Sequence, residues 1–531
     1  MKGYTQAQTG PDDFRISNQG PPLNFVFEAR DPAIAYNSND SNYLVVWSGV
    51  LSASGSFNKK FEIFGRLIDA HGEKIGSDFR ISSTLAENDL RLDAENPSVA
   101  YNSTDNNFLV VWDAPASFFE ITSTAVNDQN EIFGQLLAAD GSEIGADFRI
   151  SDIGPPGQVD FDADDPDISY NPLLNNYLVV WSGDDVRSEN EIYGQFISAA
   201  GVETGINDFR ISDMGPDGNT AFNAFNPSID YNVHHNNFLI VWQGDDNTGD
   251  LVDNEQEIFG QIITADGLET GPNDFRISDM GPDGDINFDA FQPDLVFNSE
   301  DTSYLVAWRG IELGDNEEIL KQEVYGQIVS GNGQEIGPND FQISDLLIKN
   351  IGIALSKPGL TYDPERNKFQ AFYEAIASSD TSVEGLESEL EIFGSEISND
   401  GKTVLSPFQI SEMGPDGDFA FNARSTGTAY DENNHNSLVI WQGNEMSDEL
   451  LANEKEIFGQ LITQCLDIIT SENLSSPLPS GIFQVSETIS YQGIIESGGE
   501  VIFDAGQMIV LEPGFAVQDG ALFMVMTDGC P

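Results

Sequence analysis

Short apolar runs recur along the chain, separated by clusters of Asn, Asp, Gly and Pro, and one phrase of this pattern repeats. An apolar run ending in Trp is followed by Glu-Ile-Phe-Gly-Gln and then by Phe-Arg-Ile-Ser. The Trp positions are Trp47, Trp112, Trp181, Trp242, Trp308 and Trp441, with Tyr373 in the matching place of the sixth copy; successive positions lie 61 to 69 residues apart. The glycines of the second element are Gly65, Gly134, Gly194, Gly260, Gly326, Gly394 and Gly459. Each copy predicts four short strands, typified by Pro227 to Asn232, Asn237 to Trp242, Glu257 to Ile263 and Asp274 to Ser278. Tyr, Phe, Val, Ile and Trp suit a pleated, half-buried surface, and the polar clusters between them suit turns. No stretch sustains a 3.6-residue apolar period, so little helix is expected.

Strand counting decides how such units are arranged. Four-stranded repeats form either a closed ring, the β-propeller, or an open stack with capped ends. The chain starts with an orphan fourth strand, Asp13 to Ser17, and its last repeat has a third strand, Glu456 to Ile462, with no Phe-Arg-Ile-Ser after it. Seven of each signature exist only when the two ends join. The expectation is therefore an all-β, seven-bladed β-propeller over residues 1–464, closed by strand 13–17, with a small stacked-β domain over 465–531. In this reading Trp and Ile-Phe fill the space between blades, and the glycine after Phe marks a bulge or a close backbone approach.

Composition narrows the partners. Lys and Arg number 22 against 89 Asp and Glu, a formal net charge of −67. That charge repels phosphate backbones and anionic lipid, which makes nucleic acid and membrane surfaces poor partner candidates. No segment reaches the ~18–20 continuous apolar residues of a membrane span, and residues 1–6 lack the apolar core of a signal peptide. An exported form would already have lost its signal. The only two cysteines, Cys465 and Cys530, bracket the C-terminal segment and predict a disulfide stapling it, which points to an oxidising compartment.

Candidate chemistry lies in the links between blades. In a propeller these share one face with the loops between second and third strands, and that face holds the most acidic segments. Asp213-Met-Gly-Pro-Asp-Gly-Asn219, Asp279-Met-Gly-Pro-Asp-Gly-Asp285 and Glu412-Met-Gly-Pro-Asp-Gly-Asp418 resemble calcium loops. Asp213, Asp217, Asp279, Asp283, Asp285, Asp416 and Asp418 are the candidate ligands, since calcium takes six to eight oxygens around a sharply turning glycine. Two departures favour plain turn chemistry: glycine stands two positions after the first Asp, and Ala290 occupies the twelfth position, where a glutamate is usual. A glutamate precedes Ile-Phe-Gly or its variant in every copy (Glu62, Glu131, Glu191, Glu257, Glu323, Glu391, Glu456), which favours a structural role over a binding one. His234 and His235 fall in a turn and read as solvated. The familiar hydrolase, zinc and nucleotide motifs are missing, so catalytic residues are not assigned and an enzyme is the weaker reading.

Two resemblances add context. The flanking cysteines, Phe503-Asp-Ala-Gly506, Leu511-Glu-Pro-Gly-Phe515 and Gly520-Ala521 make the C-terminal segment similar to the three-coathanger stack domain of exported Bacteroidota proteins. The repeats resemble the Val-Val-Trp and Ile-Tyr-Gly-Gln repeats of large bacterial surface and calcium-associated proteins. The first implies an envelope or extracellular protein, and neither names an activity. The leading expectation is a secreted or cell-surface protein whose acidic loop face binds a glycan, a protein or metal ions, with calcium as a candidate cofactor. A carbohydrate-active enzyme and a self-assembling surface-layer component are the alternatives, the enzyme requiring unrepeated residues around the propeller axis.

Overall fold

The structure is a computed structural model. It describes residues 6–19, 27–53, 59–83, 92–116, 129–153, 161–184, 189–216, 218–245, 251–252, 254–314, 319–344, 356–376, 390–414, 421–444, 455–464, 466–469, 481–495, 497, 500–505 and 508–526. Contacts divide the chain into two compact units. One comprises Asp13–Asn434 and Leu438–Gln460; the other comprises Met1–Asp12, His435–Ser437 and Leu461–Pro531.

The larger unit is a seven-bladed β-propeller. Seven four-stranded sheets follow one another; six are built from consecutive strands, and the seventh takes its outer strand, Gln6–Arg15, from the start of the chain. The fourth blade runs Ala224–Asn232, Asn237–Asp245, Gln256–Thr264 and Glu269–Arg276 from the axis outward. The innermost strands of successive blades touch one another around a complete circle, and the last, Ala423–Asp431, meets the first, Ala29–Asn37. Closure is made by the strand expected from the sequence: Ile16 N donates to Ile457 O at 2.6 Å, and Gln19 N donates to a Glu456 carboxylate oxygen at 2.9 Å.

Burial explains the apolar pattern. Strand Asn237–Asp245 is buried along nearly its whole length because neighbouring blades cover both faces of its sheet, so it reads as a continuous run and not as an alternation. Strand Glu269–Arg276 at the rim is largely exposed. The core lies between blades: Leu178, Val180 and Phe196 of the third blade pack with Phe238, Ile240 and Trp242 of the fourth. All six tryptophans are 0% exposed, as their packing role requires. The glycine after Phe meets both expectations, with a register shift beside Gly260 and only 2.9 Å between its would-be Cβ and Ile277 Cδ1.

An outer belt of carboxylates ties blade to blade. Asp274 Oδ2 accepts Asp213 N at 3.0 Å, and Asp208, Asp340, Asp147, Asp78 and Asp13 accept the matching N–H of the preceding blade at 2.7–2.9 Å. Each of these Asp residues directly precedes the Phe of the outer strand. In the sixth blade Pro407 takes that place, and the outer strand shrinks to Phe408–Gln409.

The smaller unit contains parallel pairs. Strand Gly481–Tyr491 pairs with Glu500–Ala505, and that strand pairs with Leu522–Met526, with Ile482, Ile502 and Met524 in line. Ile489, Tyr491, Ile495, Val501 and Phe503 form its core. Cys465 and Cys530, and with them the expected disulfide, lie outside the described residues.

Candidate functional site

The acidic links are organised by arginine. Arg276 donates to Asp279 Oδ1 and to Asp283 Oδ1, both at 2.8 Å. Asp285 Oδ1 accepts Asn287 Nδ2 at 2.6 Å within its own turn. Asp213 pairs with Arg210 at 3.0 Å. Asp217, Asp416 and Asp418 lie outside the described residues. Among the described residues no three His, Cys, Asp or Glu side chains gather as metal ligands do.

The repeated glutamates face inward. Glu62, Glu131, Glu191, Glu257, Glu323, Glu391 and Glu456 are 0–5% exposed. In each blade one oxygen receives the hydroxyl of the Phe-Arg-Ile-Ser serine or its counterpart, as Ser278 does for Glu257. The other oxygen takes the backbone N–H that begins the link in several blades: Met280 N reaches Glu257 Oε1 at 3.0 Å and Met413 N reaches Glu391 Oε1 at 2.7 Å. Burial pushes Glu131 and Glu257 up to about 8 and Glu191 and Glu456 up to about 7, against the pull of the serine hydroxyl and the nearby arginine. These groups fasten each link to its own blade.

The concave site lies on the axis, at the opposite end of the inner strands from the links. At the start of the inner strand in six of the seven blades, Asp31, Asn96, Asp165, Asn226, Gln292 or Ser425 takes a positive φ of 49–55°, and in the first five blades a bulge follows. All but Ser425 precede a proline, and Asp and Asn tolerate the left-handed region because their short polar side chains bond locally. The bulge sets the register of the rest of the strand, which ends in an aromatic residue before the turn to the second strand. Tyr36, Tyr101, Tyr170, Tyr231, Phe297, Tyr362 and Tyr430 occupy this position. Tyr101, Tyr231 and Tyr362 each donate to an Asn Oδ1 five residues on, at 2.8–2.9 Å, and so clasp their own turns. Six of these aromatics, all but Tyr231, line an axial cavity of about 540 Å³ together with Ala35, Ala100, Ser169, Val296, Thr361 and Ala429.

Beneath the cavity, two residues nearer the links on each strand, the repeat is broken by charge. Asp167 and Asp294 stand where the other five blades carry Ala33, Ser98, Ser228, Gly359 and Gly427. Lys357, from the sixth blade, spans the axis: its Nζ lies 3.0 Å from Asp294 Oδ1 and 3.2 Å from Ser228 Oγ of the fourth blade. Ser228 in turn donates to Asp167 Oδ2 at 3.2 Å, and Ser98 donates to Asp167 Oδ1 at 2.8 Å. The carboxylates also cap the inner backbone, since Leu360 N donates to Asp294 at 3.1 Å and Phe297 N to Asp230 at 2.8 Å. Desolvation lowers the pKa of Lys357, but Asp294, Asp167 and Asp165 outweigh it and the net shift is upward. Lys357 keeps 41% of its side-chain surface accessible. Burial raises Asp230 to about 7 and Asp165 to about 6.

Sequence reasoning placed the chemistry on the link face and missed this floor. The signal was present as departures from the repeat: Asp230 and Lys357 each occupy a position where no other blade has the same residue. His234, expected to be solvated, is exposed but places Nε2 2.6 Å from Ser299 O of the next blade.

No protein-family model matches the chain, and no curated protein does. Solved structures with a similar arrangement include a PL25 ulvan lyase, with 8% identity, 84% of this chain and 94% of that one covered, and a TM-score of 0.48. The GH93 α-L-arabinofuranosidase of Fusarium graminearum with arabinobiose shows 10% identity, coverage of 87% and 98%, and a TM-score of 0.42. The Bacillus subtilis arabinanase Arb43A shows 12% identity, coverage of 61% and 96%, and a TM-score of 0.31.

Proposed function

We propose that the protein is an extracellular or cell-surface binding protein that holds a glycan in the axial cavity. One observation carries this reading: an open axial depression of about 540 Å³ lined by aromatic side chains from six blades, with Ser and Thr residues between them. That volume falls within the ~300–1,000 Å³ range of small-molecule sites, and aromatic walls with a few fixed polar groups suit the alternating apolar and hydroxyl faces of a sugar. The location outside the cell rests on the resemblance of residues 465–531 to stack domains of exported proteins.

The test is titration calorimetry with a panel of short oligosaccharides. Val296 is half-buried on the cavity wall, so Val296→Trp fills the space while its backbone remains in the strand. Binding that survives in Val296→Trp with unchanged affinity sinks the cavity as the site. Tyr101→Phe keeps the ring and is expected to retain binding.

The enzymatic alternative has one observation in its favour. Glu374, at the link end of the axis, is pushed up to about 7 by burial in spite of Arg424 and Arg309, and Asp230 also stands at about 7. Carboxyl groups that titrate near neutrality suit acid–base work. Release of sugar from the same oligosaccharides, lost in Glu374→Gln, would replace the binding reading by a catalytic one.

A further inference from the structure

The hydrogen-bond polarity of the cavity wall identifies the kind of sugar, given that the cavity is a glycan site. Four of the five tyrosines on the cavity wall have already committed their protons. Tyr101 donates to Asn106 Oδ1 at 2.8 Å, Tyr362 to Asn367 Oδ1 at 2.9 Å, Tyr430 to Asp363 Oδ1 at 2.9 Å and Tyr170 to Thr104 Oγ1 at 2.7 Å. Two wall hydroxyls are committed in the same sense: Thr361 donates to Gln370 Oε1 at 3.0 Å and Thr428 to Leu360 O at 3.0 Å. What these groups offer an incoming molecule is lone pairs and aromatic faces. These six groups therefore favour a ligand that brings donors.

Charge points the same way. Glu432 is the one charged residue among those lining the cavity. The surrounding turns carry Asp40, Asp105, Glu300, Asp301 and Glu365, while the arginine there, Arg366, is held by Asp363 and Glu396. The lysine under the floor is engaged by Asp294 and Ser228 and is flanked by Asp167 and Asp165. An anionic sugar would meet repulsion at the rim and find, among the described residues of this wall, no cation without a carboxylate partner. A protonated amine meets carboxylates, phenol oxygens and electron-rich ring faces, each of which attracts it.

We infer that the ligand of the axial cavity is a cationic amino sugar, bearing a free protonated amine, and that the tyrosine collar with the acidic turns selects it over neutral and anionic sugars. An ammonium brings three donors to a wall of acceptors, and its attraction to the rim weakens as salt screens the exposed carboxylates.

The experiment compares three β-1,4-linked tetrasaccharides against the full chain by calorimetry at slightly acidic pH and low salt. They are the glucosamine tetramer, its fully N-acetylated form and cellotetraose, which share a backbone and differ in charge. The expected result is at least tenfold tighter binding of the glucosamine tetramer, a preference that shrinks in high salt and in the Glu300→Gln, Glu432→Gln double variant. Equal or tighter binding of the N-acetylated or neutral tetramer overturns the charge selection and leaves the glycan site standing. Binding of the glucosamine tetramer that is unchanged in Val296→Trp shows only adsorption to the acidic surface and overturns the inference. Failure of all three to bind removes the glycan reading together with it.

Discussion

At the scale of single residues, the molecule keeps carboxyl groups where water would not. Glu257 is 1% exposed and its pKa rises to about 8, while an unfolded chain leaves such a group near its ordinary value. The native state then binds more protons than the unfolded one between those values. Stability from this group is fully present below the ordinary carboxylate range and is lost as pH rises through about 8. Glu131, Glu191 and Glu456 act in the same direction. The melting temperature is therefore expected to fall by several degrees between about pH 5 and about pH 8, and Glu257→Gln should flatten that dependence. A melt series at constant ionic strength checks both; a midpoint that climbs over the same range contradicts the assignment. Calcium is decided at this scale too. An ion at the Asp279 link has to take Asp279 and Asp283 from Arg276. If it does, millimolar calcium raises the midpoint where magnesium at matched ionic strength does not, and Arg276→Ala strengthens the effect. Equal midpoints in the two salts return those loops to arginine-braced turns.

At the scale of strands, the belt of Asp residues is the device that varies. Asp274 holds a φ of 40° and caps Asp213 N across the blade junction. Asp274→Ala leaves that amide without its acceptor and places a Cβ residue without side-chain bonding in the left-handed region. A loss of about 2–3 kcal/mol is expected from the two effects together, read by denaturant unfolding. The sixth blade lacks the cap, since Pro407 replaces the Asp, and its outer strand is the shortest. Hydrogen exchange is accordingly expected to be faster around Phe408–Gln409 than in the matching strand Glu269–Arg276, and equal protection would show that the cap is dispensable. Much of this architecture was legible in the sequence. Trp242, Ile258 and Phe259 announced the packing between blades because inter-blade burial imposes the same apolar residues on every copy. A structural role for Glu257 was favoured by its repetition, but its burial and its partners Ser278 and Met280 became visible only in three dimensions.

At the scale of the whole ring, the part least legible in the sequence is the part that carries the proposed function. The cavity wall takes residues such as Ala35, Ser169, Val296 and Thr361 from separate blades, and none stands out within its own repeat. Repetition marks what holds a propeller together; the axis gathers what differs. The closing strand has a consequence of another kind, in time. Ser17 meets Glu456 across 439 positions of sequence, so a ribosome delivers the strand first and its socket last. At synthesis rates of about 5–20 residues per second, the strand waits roughly 20 to 90 s for its partner. During that interval each new blade can pack on the one before it, while the first keeps one face bare. The ring is thus completed in a single late step, by a segment that has been available since the beginning and must stay unpaired until then.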